Sequence, residues 1–297
     1  MKSQCSSALL ILVGIVSCAA AAENAERPIE LLVRGDDMGH SLDVNLGFIK
    51  AHTEGIVTSA SLMAPALYFD DAITRCKAHP KLAPGIHVTL MATTPMRPIL
   101  PPDQVSSLIA PNGFFYHGLE DFLKSEPKID EVEKEVRAQI EKCLGTGLRF
   151  IYLDWHMASN GGGKRPDIVA VFQRLCREYR LLYTHDTLDF DGRYSGAKFL
   201  GVGLEAWGTV RLPDGNLAYW CGPDMPEATR LKFLDTLRNL QPGTWYTICH
   251  PGLYAPRQAQ SVAVLCSQEV KDILQARKIR LISYADLWNR QFGGTSQ

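Results

Sequence analysis

Short apolar runs alternate with longer amphipathic segments from about residue 29 onward. The apolar runs predict strands at Ile29–Arg34, Ser59–Ala64, Gly85–Leu90, Phe150–Leu153, Thr244–Cys249 and Arg280–Ser283. Segments with helical spacing or helix-end signals predict helices at Asn45–Glu54, Tyr68–Ala78, Ile129–Gly145, Pro166–Tyr179, Pro226–Leu240, Val262–Ala276 and Tyr284–Arg290. Because strands that alternate with helices form parallel sheets, this pattern predicts an α/β fold, most simply a (β/α) barrel.

Two long stretches interrupt the alternation. Ala92–Pro127 is rich in Pro and Gly and carries three consecutive aromatic residues at 114–116. Asp186–Pro223 carries Trp207 and Trp220. Loops of this length in a compact domain usually form lids or binding walls, so we expect both to serve a ligand site.

Length and charge narrow the function classes. The chain has 297 residues and a net charge of −1, with acidic and basic residues interleaved. One large core fits this length, and with no linker or internal repeat we expect a single domain over residues 28–291. No basic run occurs, so the sequence gives no indication of a nucleic-acid partner or of an anionic membrane surface as a partner.

The first 22 residues differ from the rest. Met1-Lys2 is followed by an apolar core at Leu9–Ser17 and then by small residues, which predicts a signal peptide over 1–22 that is too short for a transmembrane span. Ile15–Cys18 also resembles a lipobox, in which Cys18 becomes a lipidated N-terminus. Both cleavage schemes predict export, to the periplasm or the medium, and they differ in membrane anchoring.

Six cysteines follow the signal and are scattered, at Cys76, Cys143, Cys176, Cys221, Cys249 and Cys266. No CxxC pair occurs, which argues against a structural zinc site. The even number permits disulfides, although buried free thiols are the expected state in a domain with this much core.

Ionisable side chains collect at the carboxyl ends of four predicted strands, at Asp36 and Asp37, His87, Asp154 and His156, and His250. Each of them alone has an ordinary structural explanation, such as a helix cap, a core histidine or a turn. Independent structural residues have no reason to share equivalent strand ends. Since α/β folds build their sites at this edge, the shared placement predicts one active site.

One carboxylate and two imidazoles make an open metal site, and imidazole suits zinc better than magnesium. Adjacent aspartates diverge, so one of the pair can hold the ion while the other meets the attacking water. His250 arrives from the far end of the chain and is the natural proton donor. These roles fit metal-assisted hydrolysis.

The motifs that surround these residues resemble the YdjC-like carbohydrate deacetylases, which remove N-acetyl groups from amino sugars. The matching motifs, in order, are GDDMG (Gly35–Gly39), VNLGFIKAHTEGIVTSASLM (Val44–Met63), GIHVTL (Gly85–Leu90), RPIL (Arg97–Leu100), LDWH (Leu153–His156) and CHPG (Cys249–Gly252). The resemblance implies a distorted TIM-like (β/α) barrel with parallel strands and long loops at its C-terminal face. It also implies one divalent ion, zinc favoured and magnesium the alternative, and an N-acetylated amino sugar as substrate.

Carried over residue by residue, the resemblance implies three metal ligands and two catalytic residues: Asp37, His87 and His156 as ligands, Asp36 as base and His250 as acid. Candidate substrate-binding residues in or beside the motifs are Arg97, Asp154 and Trp155, although Trp155 equally fits a core position. The chain departs from the family's ADDFG at Gly35 and Met38, and from its D-S-H-x-H motif at Trp155 and Ala158. Loss of the second histidine at Ala158 alters the pocket wall and spares the metal ligand.

Other functions remain as alternatives. An exported, non-catalytic carbohydrate-binding protein would need the aromatic residues but would not need all five ionisable groups. A non-haem iron oxygenase uses a similar ligand set, usually on a β-sandwich. A Cys249–His250 nucleophilic pair fails because neighbours on a strand point to opposite faces. A homodimer is a further option for the assembly, and no transmembrane span is expected in the mature chain.

Overall fold

A computed structural model describes residues 28–184 and 225–293, and between them only the short strands at 198–199, 209–211 and 217–219. Side chains are described up to residue 184 and again from residue 230. The predicted signal segment with Cys18, and the loop positions Trp207, Trp220 and Cys221, lie outside the described residues.

Strands and helices alternate along most of the chain. The strands are Ile29–Met38 (β1), Ser59–Leu62 (β2), Ala83–Val88 (β3), Tyr152–Trp155 (β4), Leu182–Tyr183 (β5), Lys198–Phe199 (β6), Thr209–Arg211 (β7), Leu217–Tyr219 (β8), Gly243–Cys249 (β9) and Arg280–Ile282 (β10). The helices are Leu42–Thr53 (α1), Phe69–Ala78 (α2), Leu119–Lys124 (α3), Ile129–Leu144 (α4), Pro166–Glu178 (α5), Met225–Arg238 (α6), Pro256–Leu265 (α7), Gln268–Ala276 (α8) and Tyr284–Phe292 (α9).

The main sheet is parallel throughout and runs in the order β5-β4-β3-β2-β1-β9-β6, with β10 also beside β1. The prediction of an α/β fold with parallel, barrel-like strands is confirmed. Among the described strands the path ends at β5 and β6, so the sheet is a half-barrel and its ends do not pair. Since all of these strands run the same way, their carboxyl ends share one edge.

The core lies on both faces of this sheet. Leu31, Leu32 and Val33 are consecutive on β1 and all are fully buried, as expected for a strand covered on both sides. Local signals fix the helix starts around the core. The Ser41 hydroxyl accepts a hydrogen bond from the Val44 backbone N–H at 3.2 Å, and Pro166 lies in the first turn of α5.

Several predicted elements were wrong in extent, and three of them bear on the site or on the helices around it. The single helix predicted at Val262–Ala276 is two helices, α7 and α8, separated where Ser267 caps α8 by accepting a hydrogen bond from Val270 N at 3.3 Å. The stretch Ala92–Pro127, predicted without helices, contains α3 and a 3-10 turn. The first strand continues past Arg34, so the aspartate pair lies inside β1 and not behind it.

The described cysteines form no disulfide. Cys76, Cys143, Cys176 and Cys249 are buried free thiols, as predicted, and Cys266 is half-buried. Within residues 28–184 and 225–293, none of the helices combines the length and the apolar character that crossing a bilayer requires.

Candidate active site

A backbone irregularity at the end of β1 separates the two aspartates. The pairing of β1 with β2 shifts register between Gly35 and Met38, and Asp37 has a φ of 73°, which is rare for a residue other than glycine. Such bulges re-aim side chains and concentrate at functional sites. Both side chains line the pocket described below, but the Asp36 side chain is only 7% exposed and that of Asp37 is 18% exposed.

Two imidazole nitrogens converge on the carboxylate of Asp37. Its Oδ1 lies 3.1 Å from Nε2 of His87 and 2.7 Å from Nδ1 of His156. One ligand atom from each of the three residues falls within 4.8 Å of the others, a spacing that can hold one metal ion. One carboxylate with two imidazoles is also the donor chemistry of open zinc sites, so the residues fit such an ion.

His87 is oriented from behind by Asp154. Nδ1 of His87 lies 2.8 Å from Oδ1 of Asp154, and β3 and β4 place the two residues directly opposite each other. A carboxylate that holds one ring nitrogen fixes the tautomer and directs the other nitrogen towards the metal position. Burial opposes protonation of His87, but the charge and hydrogen bond of Asp154, the hydrogen bond of Asp37 and the charge of Asp36 outweigh it and hold its pKa well above the usual range. A metal ion bound at Nε2 would therefore displace a proton.

The charge on Asp37 is favoured by its neighbours. Burial alone would raise the pKa of this carboxyl group, but the charge and hydrogen bond of His156 and the hydrogen bond of His87 hold it well below its usual range. Asp37 is therefore an anion at neutral pH, which is the state that a metal ligand needs.

Arg34 is a fully buried cation between two of the site's carboxylates. Its Nε and Nη2 donate to Oδ1 and Oδ2 of Asp36 at 2.7 and 3.0 Å, and Nε also lies 3.0 Å from Oδ2 of Asp154. Such a two-pronged contact fixes the plane of the Asp36 carboxylate. Arg34 thereby joins the predicted base to the carboxylate that orients His87.

This cation also decides between two candidate metal groups. Asp36, His87 and Asp154 form a second cluster with suitable spacing. The guanidinium of Arg34 is already ion-paired with both carboxylates there, and Nε2 of His87 is directed to Asp37. The group of Asp37, His87 and His156 is therefore the better metal site.

Replacing Arg34 by methionine is expected to lower the free energy of unfolding by about 3–5 kcal/mol, because it leaves Asp36 and Asp154 buried without their cation. Arg34→Lys keeps the charge, loses the two-pronged geometry and should fall between methionine and arginine. Urea unfolding measures both. An Arg34→Met variant as stable as the unaltered protein would show that the carboxylates do not depend on this cation.

His250 approaches the same centre from the other side of β1. Its Nε2 lies 3.8 Å from Oδ2 of Asp37, and its side chain is 30% exposed. The turn after it is held by Asp43, whose Oδ1 accepts the backbone N–H groups of Leu253 and Tyr254 at 2.7 and 2.8 Å. Gly47 of α1 lies so close to this turn that a Cβ there would come within 2.5 Å of Gly252. These contacts hold the turn that follows His250 and so help to fix the position of its imidazole.

These groups line a pocket of about 840 Å³, which we call the inner pocket. Its walls are Asp36, Asp37, His87, Thr93, Trp155, His156, Met157, Ile248, His250, Ala255, Pro256, Arg257 and Gln258. The volume is within the range of small-molecule sites. Trp155 is only 6% exposed and packs near Phe172 and Tyr183, which favours the core-filling alternative for this residue.

Two of the predicted substrate-binding residues lie elsewhere. Asp154 is fully buried and is not part of the inner pocket wall; it orients His87 and accepts a hydrogen bond from Ser61 at 2.7 Å. Arg97 is also outside this wall, with its guanidinium 4.5 Å from the centre of the Phe114 ring. The structure therefore separates both residues from direct contact in the inner pocket.

Sequence reasoning missed the roles of Arg34, Ser61 and Met157. Arg34 had a signal, because a cation at the end of an apolar strand must find a buried partner. Ser61 bonds to both Asp154 and Tyr152 and carries no local signal of that role. Met157 is 43% exposed on the pocket wall and has a φ of 51°, a conformation that the sequence does not reveal.

Comparison with known proteins matches most of the chain. The model of a family described as YdjC-like protein matches residues 30–276. A carbohydrate deacetylase of Enterococcus faecalis is 29% identical over 87% of this chain and 98% of its own length, and one of Brevibacillus brevis is 28% identical over 87% and 100%. A solved structure from Enterococcus faecalis V583, described as a proposed cellobiose-phosphate cleavage protein, has a TM-score of 0.69 and 26% identity, and covers 88% of this chain and 99% of its own.

Proposed function

The chain belongs to the YdjC-like protein family, and from this premise we propose that it is a metal-dependent hydrolase that removes an N-acetyl group from an amino sugar or an oligosaccharide. One observation carries the proposal. The donor atoms of Asp37, His87 and His156 lie within 4.8 Å of one another, and Asp36 and His250 line the same pocket. The carbohydrate deacetylases of two bacteria match nearly their full lengths to this chain, which supports the same reaction.

In this proposal Asp37, His87 and His156 hold one divalent ion, with zinc favoured by the two imidazoles and magnesium the alternative. A bound ion supplies Lewis acidity, which polarises the acetyl carbonyl group and makes water a nucleophile near neutral pH. Asp154 holds Nδ1 of His87, which leaves Nε2 of the same ring directed towards the proposed metal position.

Asp36 and His250 move the protons. A carboxylate oxygen of Asp36 takes a proton from the attacking water as its oxygen bonds to the acetyl carbon. Nε2 of His250 gives a proton to the sugar nitrogen as the C–N bond breaks, so that acetate and a free amine leave. A general base and a general acid of this kind each contribute about 10²–10⁴-fold.

A panel of N-acetylated amino sugars and short oligosaccharides tests this proposal directly. Each compound is incubated with protein and added zinc, cobalt or magnesium, and both acetate and new primary amine are measured. The proposal requires equal amounts of both products from at least one sugar. Sugar binding by calorimetry without release of either product would favour the non-catalytic carbohydrate-binding alternative.

We also propose that the protein is exported, on the evidence of the charged start, the apolar core at Leu9–Ser17 and the small residues after it. Mass spectrometry of the mature N-terminus distinguishes the two cleavage schemes. A lipidated Cys18 means anchoring through acyl chains, at about 0.8 kcal/mol per buried methylene. A start near Glu23 means a free exported protein, and an intact Met1 contradicts export.

A homodimer stays a prediction that a sedimentation measurement can decide.

A further inference from the structure

The first turns of α1 carry Asp43, Asn45 and Gly47, to which the proposed reaction gives no role. An α-helix rotates by about 100° per residue, so residues four apart share a face and residues two apart point in nearly opposite directions. Asp43 and Gly47 therefore lie on one face of α1, and Asn45 lies on the other. The contacts of these two faces lead to two different parts of the active site.

Asn45 is fully buried and binds the turn that follows Asp37. Its Oδ1 accepts the backbone N–H of Gly39 at 2.7 Å, and its Nδ2 donates to the backbone carbonyl of Tyr68 at 3.1 Å. The N–H of Tyr68 in turn donates to the carbonyl of Gly39 at 2.9 Å. Nδ2 of Asn45 also donates to Oδ2 of Asp71 at 2.8 Å, which fixes the plane of the amide. Both backbone groups of Gly39 are thereby held, two residues after the metal ligand.

Asp37 needs this support because its backbone is left-handed, with a φ of 73°. Such a conformation is unfavourable for a residue other than glycine and persists only where the surroundings hold it. The carbonyl of Asp37 accepts the N–H of His40 at 3.1 Å, and Gly39, with a φ of 99°, is the third residue of the turn that this bond closes. Asn45 therefore holds the middle of the turn that directs the carboxylate of Asp37.

The opposite face of α1 holds the turn that follows His250. Oδ1 of Asp43 accepts two backbone N–H groups of this turn at 2.7 and 2.8 Å. Gly47 lies one helical turn further along the same face, where a Cβ would come within 2.5 Å of Cα of Gly252. A side chain at position 47 would push the turn away from α1, so this glycine permits the close approach that the Asp43 contacts require.

One helix is thus the common support of two groups from opposite ends of the chain. The strands β1 and β9 pair directly, and their register runs as far as Gly35 and Cys249. Asp37 and His250 come just after that point, with Oδ2 of the first 3.8 Å from Nε2 of the second. Because the paired register stops short of both residues, the contacts of α1 are needed to fix them relative to each other.

We propose that Asn45 and Asp43 are positioning residues, which set the metal ligand Asp37 and the proton donor His250 at their working distance. This inference rests on the proposed function and adds two residues to its machinery. Asn45 acts on the metal site through Asp37, and Asp43 acts on proton transfer through His250. Replacing them should therefore produce different defects, whereas a helix that served stability alone would give the same defect at both positions.

Asn45→Ala tests the metal half of the proposal by affinity. The variant deprives the N–H of Gly39 of its acceptor, and we expect the zinc Kd, measured by competition with a chromophoric chelator, to rise about 10–100-fold. The visible spectrum of cobalt-loaded protein should also shift, because it reports the geometry of the ligands. The control is Ile273→Ala on α8, which removes buried apolar contacts away from the inner pocket. It should lower stability and change neither metal readout.

Asp43→Ala tests the proton-transfer half by turnover of an accepted N-acetylated sugar. We expect kcat to fall about 10–100-fold while KM changes less than about twofold and the zinc Kd is unchanged. Asp43→Asn keeps an oxygen that accepts both N–H groups and should restore most of kcat. The control is Asp130→Ala, which removes the same charge from the second residue of α4. Gly47→Ala displaces the same turn and should repeat the split if Asp43→Ala does not fold.

The possible results distinguish a failure of this inference from a failure of the proposed function. An unchanged zinc Kd and cobalt spectrum in folded Asn45→Ala, or an unchanged kcat in folded Asp43→Ala, overturns the positioning roles and leaves the deacetylase proposal standing. Parallel losses of metal and kcat in both variants, reproduced by Ile273→Ala, show a role in stability alone and also overturn them. An unaltered protein that binds no zinc and releases no acetate overturns both proposals.

Discussion

His87→Ala is expected to remove bound metal and to lower deacetylation more than about 100-fold. Loss of a partner behind a ligand alone costs about 10–100-fold in affinity or activity, and His87 is itself one of three protein ligands. Elemental analysis of the purified variant should give far less than one equivalent of zinc, and acetate release should approach background. His156→Ala tests the same centre from a different strand end and should give the same two results.

The matched control is His79→Ala, which removes an imidazole from the C-terminal end of α2, away from the inner pocket. It should retain metal and activity. Circular dichroism establishes that the His87→Ala variant is folded. A folded His87→Ala protein with a full equivalent of zinc would show that the metal ligands are assigned incorrectly.

Asp36→Asn should separate metal binding from turnover. We expect the variant to retain its metal while its turnover falls by about 10²–10⁴-fold. The amide keeps the shape of the carboxylate but cannot take a proton from water. It also faces Arg34, which loses half of its carboxylate partners, so a loss of stability accompanies the loss of turnover. Metal content and kcat, measured on the same sample, test the prediction.

Asp70→Asn on the exposed side of α2 makes the same change of charge away from the site and should alter neither quantity. If Asp36→Asn instead lost its metal, Asp36 would be the ligand. Asp37→Asn would then be the variant that keeps metal and loses turnover, and the roles of the adjacent aspartates would be reversed.

The placement of the site could be predicted from the chain alone because it follows from strand direction. The carboxyl ends of parallel strands lie at the same edge of the sheet, and each of four apolar runs is followed by an ionisable residue at that end. The pairing of β3 with β4 gives one example, because it places His87 directly opposite Asp154 at that edge. The local pattern was sufficient here because all parallel sheets place the carboxyl ends of their strands at one edge.

The different surroundings of Asp36 and Asp37 could not be predicted in that way. They depend on a register shift between β1 and β2 and on the left-handed backbone of Asp37, both of which arise from pairing between distant segments. The ion pair between Arg34 and Asp154 could not be predicted for the same reason, since the two residues lie on different strands that are far apart in the sequence. Long-range pairing of this kind leaves no periodic signal in the sequence.

The break between α7 and α8 has a different cause. Val262–Ala276 reads as continuous helix because its apolar positions fit one face, but the Ser267 hydroxyl starts a new helix by accepting a hydrogen bond from Val270 N. Serine is tolerated inside helices and favoured at their starts, so the residue type alone does not decide.

Reconstitution of metal-stripped protein tests the central claim most directly. Protein treated with a chelator and then dialysed is titrated with zinc while acetate release from an accepted N-acetylated sugar is followed. The account predicts no turnover before zinc and a rise that saturates at one equivalent per chain. Full turnover in stripped protein that contains no measurable metal would contradict it.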